Sequence, residues 1–346
     1  MKAVHIALPD NEQKLLVFYL AMEEYIAKNL DKILQPGGNG SREAFFIWQV
    51  PPTVIFGRNQ VMEAEVNLAY CKEHSINLFR RKSGGGCVYS DRGNIMLSYI
   101  TDSTDVASTF DVFLQEVADM LRALGLDAER SGRNDVMIGG KKVSGNSFFL
   151  LPHSGIVHGT LLYDSDFDEL EKAITPSSAK ISSKGVSSVR QHVTNVREEL
   201  APGQFTDIEV FKRYIIGHFC GNDGNIAELV LSREDVQAIE AIEATYLDPD
   251  FLKGKNHAYS LEYSGRIGQV GEVRLELKMD SGQIGSCWLR GDIFPLKDNV
   301  DEVLTARLKG KPCERASVSK ALEGLVLEDY IMNLHTADLV RLIFGD

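Results

Sequence analysis

The feature that most constrains this chain is a break and restart near residue 250. Asp248-Pro249-Asp250 through Asn256 has the composition of a linker, and beyond it Val273, Leu275, Leu277 and Met279 alternate strictly with Arg274, Glu276 and Lys278. A period of two with one apolar face is a half-buried antiparallel strand, ended here by a turn at Asp280-Ser281-Gly282. Upstream of the break, helix-like and strand-like patterns are mixed. At 346 residues the chain also exceeds a typical single domain. The expectation is an α/β (α+β) protein, with a large mixed-sheet domain over 1–247, a linker over 248–256 and a small α+β domain over 257–346. Helical spacing in the small domain falls at roughly 299–309, 317–329 and 335–343.

In the large domain, Asp10 with Gln13 resembles a capping box ahead of a helix whose apolar positions are Leu15, Phe18, Tyr19, Met22, Ile26 and Leu30. Pro36 to Gly40 reads as a loop, followed by strands at Phe45–Val50 and, after Pro51-Pro52, Thr53–Phe56. Asn94–Ile100 is a further strand, and Ser108–Leu124 an amphipathic helix stopped by Gly125. Asp135–Ile138, Gly139-Gly140 and the strand opened by Lys142 form a hairpin whose two-residue turn requires positive φ. Gly155–Tyr163 is strand-like. Residues 175–188 are small, polar and short of anchors, which predicts a mobile loop. Helices with capping signals start near Thr206 (with Glu209) and Ser232 (with Asp235).

Composition removes several classes of function. Lysine and arginine number 37 against 49 aspartates and glutamates, a net charge of −12. An acidic chain lacks the basic face that releases counterions from nucleic acid. No apolar run approaches the ~20 residues that span a bilayer, and the first residues lack the apolar stretch of a signal peptide. The five cysteines, Cys71, Cys87, Cys220, Cys287 and Cys313, are scattered without a C-x-x-C pair, against a disulfide framework or a structural zinc site. The expectation is a soluble cytoplasmic protein with no nucleic-acid or membrane partner.

Three segments carry residues suited to chemistry. In Arg80-Arg81-Lys82-Ser83-Gly84-Gly85-Gly86-Cys87-Val88-Tyr89, three glycines let backbone N–H groups converge on an anion, and the adjoining cations make that anion a phosphate or a carboxylate. A solvated surface turn is the plainer alternative. Neither G-x-G-x-x-G nor a Walker A loop is present, since no Ser or Thr follows Gly140-Lys141-Lys142. In the second segment, Ser131-Gly132-Arg133-Asn134-Asp135 precedes Lys142-Val143-Ser144-Gly145-Asn146. A lysine just past a tight turn is a cation that could stand between a carboxylate and an α-phosphate, and Asp135 could face a divalent metal. A charged hairpin tip would look the same. The third is His158-Gly159-Thr160-Leu161-Leu162, where a histidine in an apolar strand is more often a satisfied core residue than a catalyst. Cys87 reads as a small wall residue.

In this order, Arg80 to Val88, Gly132 to Asp135, Lys142 to Gly145, His158 to Leu162 and Ser183 to Arg190 closely resemble the lipoate–protein ligase A family. Pro52 to Arg58 resembles the family's entry strand, and the small C-terminal domain is a family feature, so the resemblance spans nearly the whole chain. One departure is Asn256-His257-Ala258-Tyr259, where family members often carry tryptophans.

The resemblance implies the fold of biotin and lipoate ligases and a two-step reaction. Lipoate and ATP, with Mg2+, give lipoyl-adenylate and pyrophosphate. The lipoyl group then passes to a lysine of an apo lipoyl domain, as in 2-oxoacid dehydrogenase E2 subunits and the glycine-cleavage H protein. By resemblance, Lys142 is the catalytic lysine. ATP or the adenylate meets Arg81, Gly86, Cys87, Val88, Tyr89, Asn134, Asp135 and Lys184, with Asp135 at the metal. Lipoate meets Arg80, Ser83, Gly84, Gly85, Ser144, Gly145, His158 and Gly159. The loop around Lys184 would fold over the adenylate, and a rotation of the small domain between steps would fit the sequence of events. Three rivals remain. A lipoyl or octanoyl transferase would use a cysteine thioester or a pre-made adenylate, yet no cysteine lies between Cys87 and Cys220. A biotin ligase would carry G-R-G-R-x-G-R. A non-catalytic binder would not need both Arg81 and Lys142.

Overall fold

The computed structural model describes residues 3–10, 12–34, 41–132, 134–174, 192–221, 226–254 and 257–345. The loop from Pro36 to Gly40, Arg133, the 175–188 loop with Lys184, the motif from Ser183 to Arg190 and Asn256 lie outside the described residues.

The strands are β1 (Val4–Ala7), β2 (Glu43–Trp48), β3 (Thr53–Phe56), β4 (Asn77–Arg80), β5 (Val88–Ser90), β6 (Asn94–Thr101), β7 (Ala128–Ser131), β8 (Asp135–Ile138), β9 (Lys141–Leu151), β10 (Ser154–Leu162), β11 (Glu228–Val230), β12 (Leu261–Ile267), β13 (Gly271–Asp280) and β14 (Gln283–Gly291). Eight form one mixed sheet in the order β11-β1-β2-β6-β10-β9-β8-β7, parallel only where β1 meets β11 and β2. A smaller sheet, β4-β3-β5, lies in the same part of the chain.

Helices cover both faces of the large sheet, and central β6 is buried along its whole length. Its Ile95, Leu97 and Tyr99 join a core with the helices Val106–Arg122 and Ile208–Cys220. Met96 and Ile100 point the other way, into a core with the helices Leu16–Lys28 and Arg233–Tyr246. Full burial of a side chain such as Phe113 contributes about 1.5–3 kcal/mol. The polar residues of β6 must therefore find partners inside, as Ser98 does in Trp48 and Glu23.

The expected hairpin is present: Gly139 and Gly140 have φ of 55° and 78°, and the return strand β9 starts at Lys141, one residue before the expected Lys142. Two expected caps are displaced. The first helix begins at Leu16, too far along for Asp10, which instead accepts from the Glu12 N–H at 3.0 Å. The helix expected at Thr206 is capped by Asp207, which accepts from the Glu209 N–H at 2.8 Å. The Ser232–Asp235 capping box forms as expected.

The segment with linker composition is a short helix, Pro249–Lys253, capped by Asp248. In the small domain, β12, β13 and β14 form an antiparallel sheet closed by positive φ at Ser281 and Gly282. Helices Val300–Leu308, Arg315–Leu322 and Thr336–Phe344 cover its apolar face. The expected 317–329 helix stops at Leu322, because Gly324 takes φ 73° before a single 3-10 turn at Leu327–Asp329. The wet face of β13 is not wet throughout: Glu276 is only 4% exposed, and its burial raises the carboxyl pKa.

Candidate functional site

The three cations before the glycines leave the backbone in three directions. Arg80 ends β4 and points toward the short 249–253 helix. Its guanidinium donates to five carbonyls, those of Gly57, Arg58, Gln60, Leu252 and Lys253, at 2.8–3.1 Å. All its donors serve the backbone, so Arg80, expected at the acyl chain, is instead the pin that fixes the approach to the small domain. Lys82 pairs with Glu24 at 2.7 Å and sits over the Tyr246 ring. Arg81 turns inward. It donates to Ser83 Oγ (3.0 Å), Ile55 O (3.3 Å), Gly84 O (2.6 Å) and Gly86 O (2.8 Å). Desolvation pulls its pKa down to about 10, which still leaves a buried cation at neutral pH.

The glycines serve a second purpose that the sequence did not reveal. The segment after β14 lies against them: Gly85 N–H donates to Ile293 O at 3.1 Å, Gln60 Nε2 to Asp292 Oδ1 at 2.9 Å and Gly291 N–H to Asn59 O at 2.9 Å. A Cβ on Gly84 would stand 2.2 Å from Ile293 O, and one on Gly85 (φ 85°) 2.8 Å from the Phe294 ring. Phe294 itself packs on Phe110 and Phe148 in the large-domain core. Gly84 and Gly85 thus make room for the small domain, while a Cβ on Gly86 would have 3.6 Å of clearance.

Lys142 reaches back over Gly145 to Asp135, with Nζ 2.7 Å from Oδ1. A Cβ on Gly145 would lie 2.7 Å from Nζ, so a side chain there would push the lysine end aside. The Lys142 backbone is held from the other side by His192 O (2.8 Å) and the Thr194 N–H (3.0 Å), so the chain beyond residue 191 returns beside this lysine. Asn134 and Asn146 exchange side-chain to backbone hydrogen bonds at 2.9 and 3.1 Å. Asn146 Oδ1 and Asp135 Oδ1 are buried without a hydrogen-bond donor of good geometry among the described residues.

Arg81, Gly85, Gly86, Cys87, Val88, Asn134, Lys142, Gly145, His158 and Gly159 line one cleft. Leu20, Ile55 and Met96 give it an apolar wall, and Asn146, Ser147 and Thr160 add polar groups; the sequence put Asn146 and Thr160 in the chemistry-bearing segments without a role and missed Ser147. Ser147 Oγ donates to Gly84 O at 2.9 Å, tying β9 to the glycine turn. Their nearest signal was position, next to Gly145 on β9 and Gly159 on β10. Arg80, Ser83, Gly84, Tyr89, Asp135 and Ser144 are not in the cleft wall. Tyr89 is buried against Val54 and Phe56, and its hydroxyl pKa is raised by that burial. Lys184 lies outside the described residues.

His158 lines the cleft with its ring, but both nitrogens face inward, to Glu23 Oε2 at 2.8 Å and to Ser83 Oγ at 2.7 Å. Among the described residues there is no cluster of three or more His, Cys, Asp or Glu side chains that could hold a metal ion, and no helix long and apolar enough to cross a membrane. A buried cation, a second cation on a short tether and an apolar wall suit an amphiphilic anion meeting a phosphate.

The chain is similar to known proteins over nearly its whole length. A profile described as lipoyl protein ligase A/B catalytic domain matches residues 16–220, and one described as bacterial lipoate protein ligase C-terminus matches 256–343. The chain is 36% identical to the lipoate-protein ligase LplJ of Bacillus subtilis over 329 residues, 94% of this chain and 96% of that protein. It is 34% identical to lipoate–protein ligase 1 of Staphylococcus aureus over 327 residues, covering 94% and 95%. Among solved structures, Plasmodium falciparum LipL1 in complex with lipoate has the same fold, with a TM-score of 0.73 at 20% identity over 98% of this chain and 97% of that one. Lipoate-protein ligase A bound with ATP shares the fold at a TM-score of 0.59 and 24% identity, over 73% and 99%. A bipartite lipoate ligase of Thermoplasma acidophilum, described with its E2 lipoyl domain, reaches 0.59 at 25% identity, over 75% and 100%.

Proposed function

The chain belongs to the lipoate–protein ligase family and is a ligase, and from that premise we propose that it joins lipoate to protein in two ATP-dependent steps. In the first, a lipoate carboxylate oxygen attacks the α-phosphorus of ATP, the P–O bond to the leaving group breaks, and pyrophosphate departs. In the second, the ε-amine of a lysine on an apo lipoyl domain attacks the acyl carbonyl, AMP leaves with the bonding pair, and the amine proton is lost. The observation that carries this reading is the shared cleft wall of Arg81, Lys142 and the apolar Leu20, Ile55 and Met96.

Each group has a task. The apolar wall takes the four-methylene arm, at ~0.8 kcal/mol per CH2 buried. Two anions repel as they approach, so a cation between them stabilises the transition state more than either bound substrate. Lys142 can supply that cation by leaving Asp135. Arg81 offers a planar fork for phosphate oxygens in place of Gly84 O and Gly86 O. A magnesium ion would neutralise phosphate charge, and Asp135 with the donorless Asn146 oxygen suits an ion held mainly by the nucleotide. Because Ile293 O occupies the Gly85 N–H, the proposal includes withdrawal of the 291–295 segment when the nucleotide enters.

Acceptors would be lipoyl domains of 2-oxoacid dehydrogenase E2 subunits and the glycine-cleavage H protein. A cytoplasmic setting belongs to the same proposal, since ATP is supplied there and the five cysteines are free thiols. One observation favours a second reading: Cys87 shares the cleft with Lys142, where a transferase would place a thiol. Incubation with ATP, Mg2+, lipoate and an apo lipoyl domain decides between them. The acceptor is expected to gain the mass of one lipoyl group only with ATP present. A gain without ATP, or an acyl thioester on Cys87, would favour the transferase.

A further inference from the structure

We propose that Glu23, Ser98 and His158, none of which donates a hydrogen bond into the cleft, are positioning residues that aim Arg81 through a buried chain of directed hydrogen bonds. The inference rests on the reading of Arg81 as the cation that receives the nucleotide. The chain runs from Trp48 Nε1 to Ser98 Oγ (2.8 Å), Glu23 Oε1 (2.5 Å), across the carboxylate to His158 Nδ1 (2.8 Å), and from His158 Nε2 to Ser83 Oγ (2.7 Å) and Arg81 Nε (3.0 Å). Every member is at most 6% exposed. Ser98 and His158 stand opposite each other on β6 and β10, and Glu23 reaches down between them from the Leu16–Lys28 helix.

With Glu23 as a carboxylate and the His158 ring neutral, as the proposal takes them, the direction of every proton follows. An indole N–H can only donate, so Ser98 accepts from Trp48 and passes its own proton to Glu23. A carboxylate can only accept, so His158 donates from Nδ1, and the ring, taken as neutral, has a bare Nε2. Ser83 must then donate to Nε2, which leaves its lone pairs to accept from Arg81 Nε. A guanidinium donor cannot accept, so the chain closes in one sense only. None of these atoms is left without a partner. The consequence is geometric. The Nε bond to Ser83 sets the plane of the guanidinium, and its Nη atoms, on Ile55 O, Gly84 O and Gly86 O, face the glycine turn and the cleft.

This also changes the role of His158 and Ser83. Both were expected at lipoate, yet their polar atoms are committed to each other and to Arg81, so the ring of His158 offers the cleft only a flat wall. Disturbing the chain should weaken the nucleotide more than the acyl substrate.

Two variants cut the chain at different links. His158→Asn keeps an N–H donor for Glu23 where Nδ1 stands but is too short to reach Ser83, and Ser83→Ala removes the acceptor from Arg81. In lipoate-dependent exchange of pyrophosphate into ATP, each is expected to raise the KM for ATP about tenfold, the order expected for one hydrogen bond to a charged group. The KM for lipoate is expected to change less than the KM for ATP, most clearly in Ser83→Ala, whose side chain is not in the cleft wall. The double variant is expected to be no worse than either single one, because both break the same connection. An unchanged KM for ATP, additive losses, or a rise confined to the KM for lipoate would overturn the proposal. An arm that needs no catalysis is nitrogen-15 NMR of histidine-labelled protein. It is expected to find His158 protonated at Nδ1 and bare at Nε2, with the Nε2 signal moving in Ser83→Ala. A proton on Nε2 would overturn the chain whatever the enzyme does. A wild-type protein without exchange would refute the ligase reading and the role assigned to Arg81, while the spectrum still decides the proton order.

Discussion

Replacing Lys142 by alanine separates chemistry from folding more cleanly than any other change in the cleft. The side chain is 34% exposed, and its ion pair is with Asp135, itself 32% exposed. Such a solvent-screened pair is worth no more than about 1 kcal/mol, so Lys142→Ala is expected to melt close to the wild type. The chemical cost is larger. A unit charge about 4 Å from developing negative charge, at an effective dielectric near 20, contributes ~4 kcal/mol. At about 1.4 kcal/mol per decade that is roughly a thousandfold in the rate of adenylate formation. The assay is lipoate-dependent pyrophosphate exchange, read beside a thermal melt. Exchange at the wild-type rate from a folded Lys142→Ala protein would refute the electrostatic argument, since the cation would then not act on the transition state. Asp135→Asn supplies the converse: the lysine loses its resting partner, and the fold is expected to survive.

Three further outcomes follow from the same geometry. Arg80→Ala leaves five carbonyls without a donor and is expected to cost about 2–4 kcal/mol in urea unfolding, with Arg80→Lys a poor rescue because one ammonium cannot span them. Gly85→Ala places a Cβ at φ 85° and 2.8 Å from Phe294, a strain of about 1–3 kcal/mol, and is expected to loosen the small domain, seen as faster limited proteolysis between the domains. Burial and the hydrogen bond to Asp235 push the Tyr25 phenol up to about 12. The folded state therefore holds that proton more tightly than the unfolded chain does, so its contribution is complete below about pH 10 and lost as pH rises through 12. Tyr25→Phe is expected to flatten the alkaline fall in stability over that window, as measured by denaturant titrations.

What the sequence alone determined was whatever depends on neighbours along the chain. The Gly139-Gly140 turn, the β13 alternation with its Ser281-Gly282 turn, and the Ser232–Asp235 cap are local, and each formed where expected. Arg81, Gly86, Lys142 and Gly159, taken from separate motifs, line one cleft. Tertiary structure decided which partner each side chain found. Arg80 and Arg81 are adjacent and chemically identical, yet one faces the approach to the small domain and the other the cleft, because successive residues leave an extended strand on opposite sides. Glu23 lies 135 positions from His158, and Phe294 lies over 200 from Gly85. No local pattern encodes such contacts, since desolvation and close packing act between surfaces that only folding brings together.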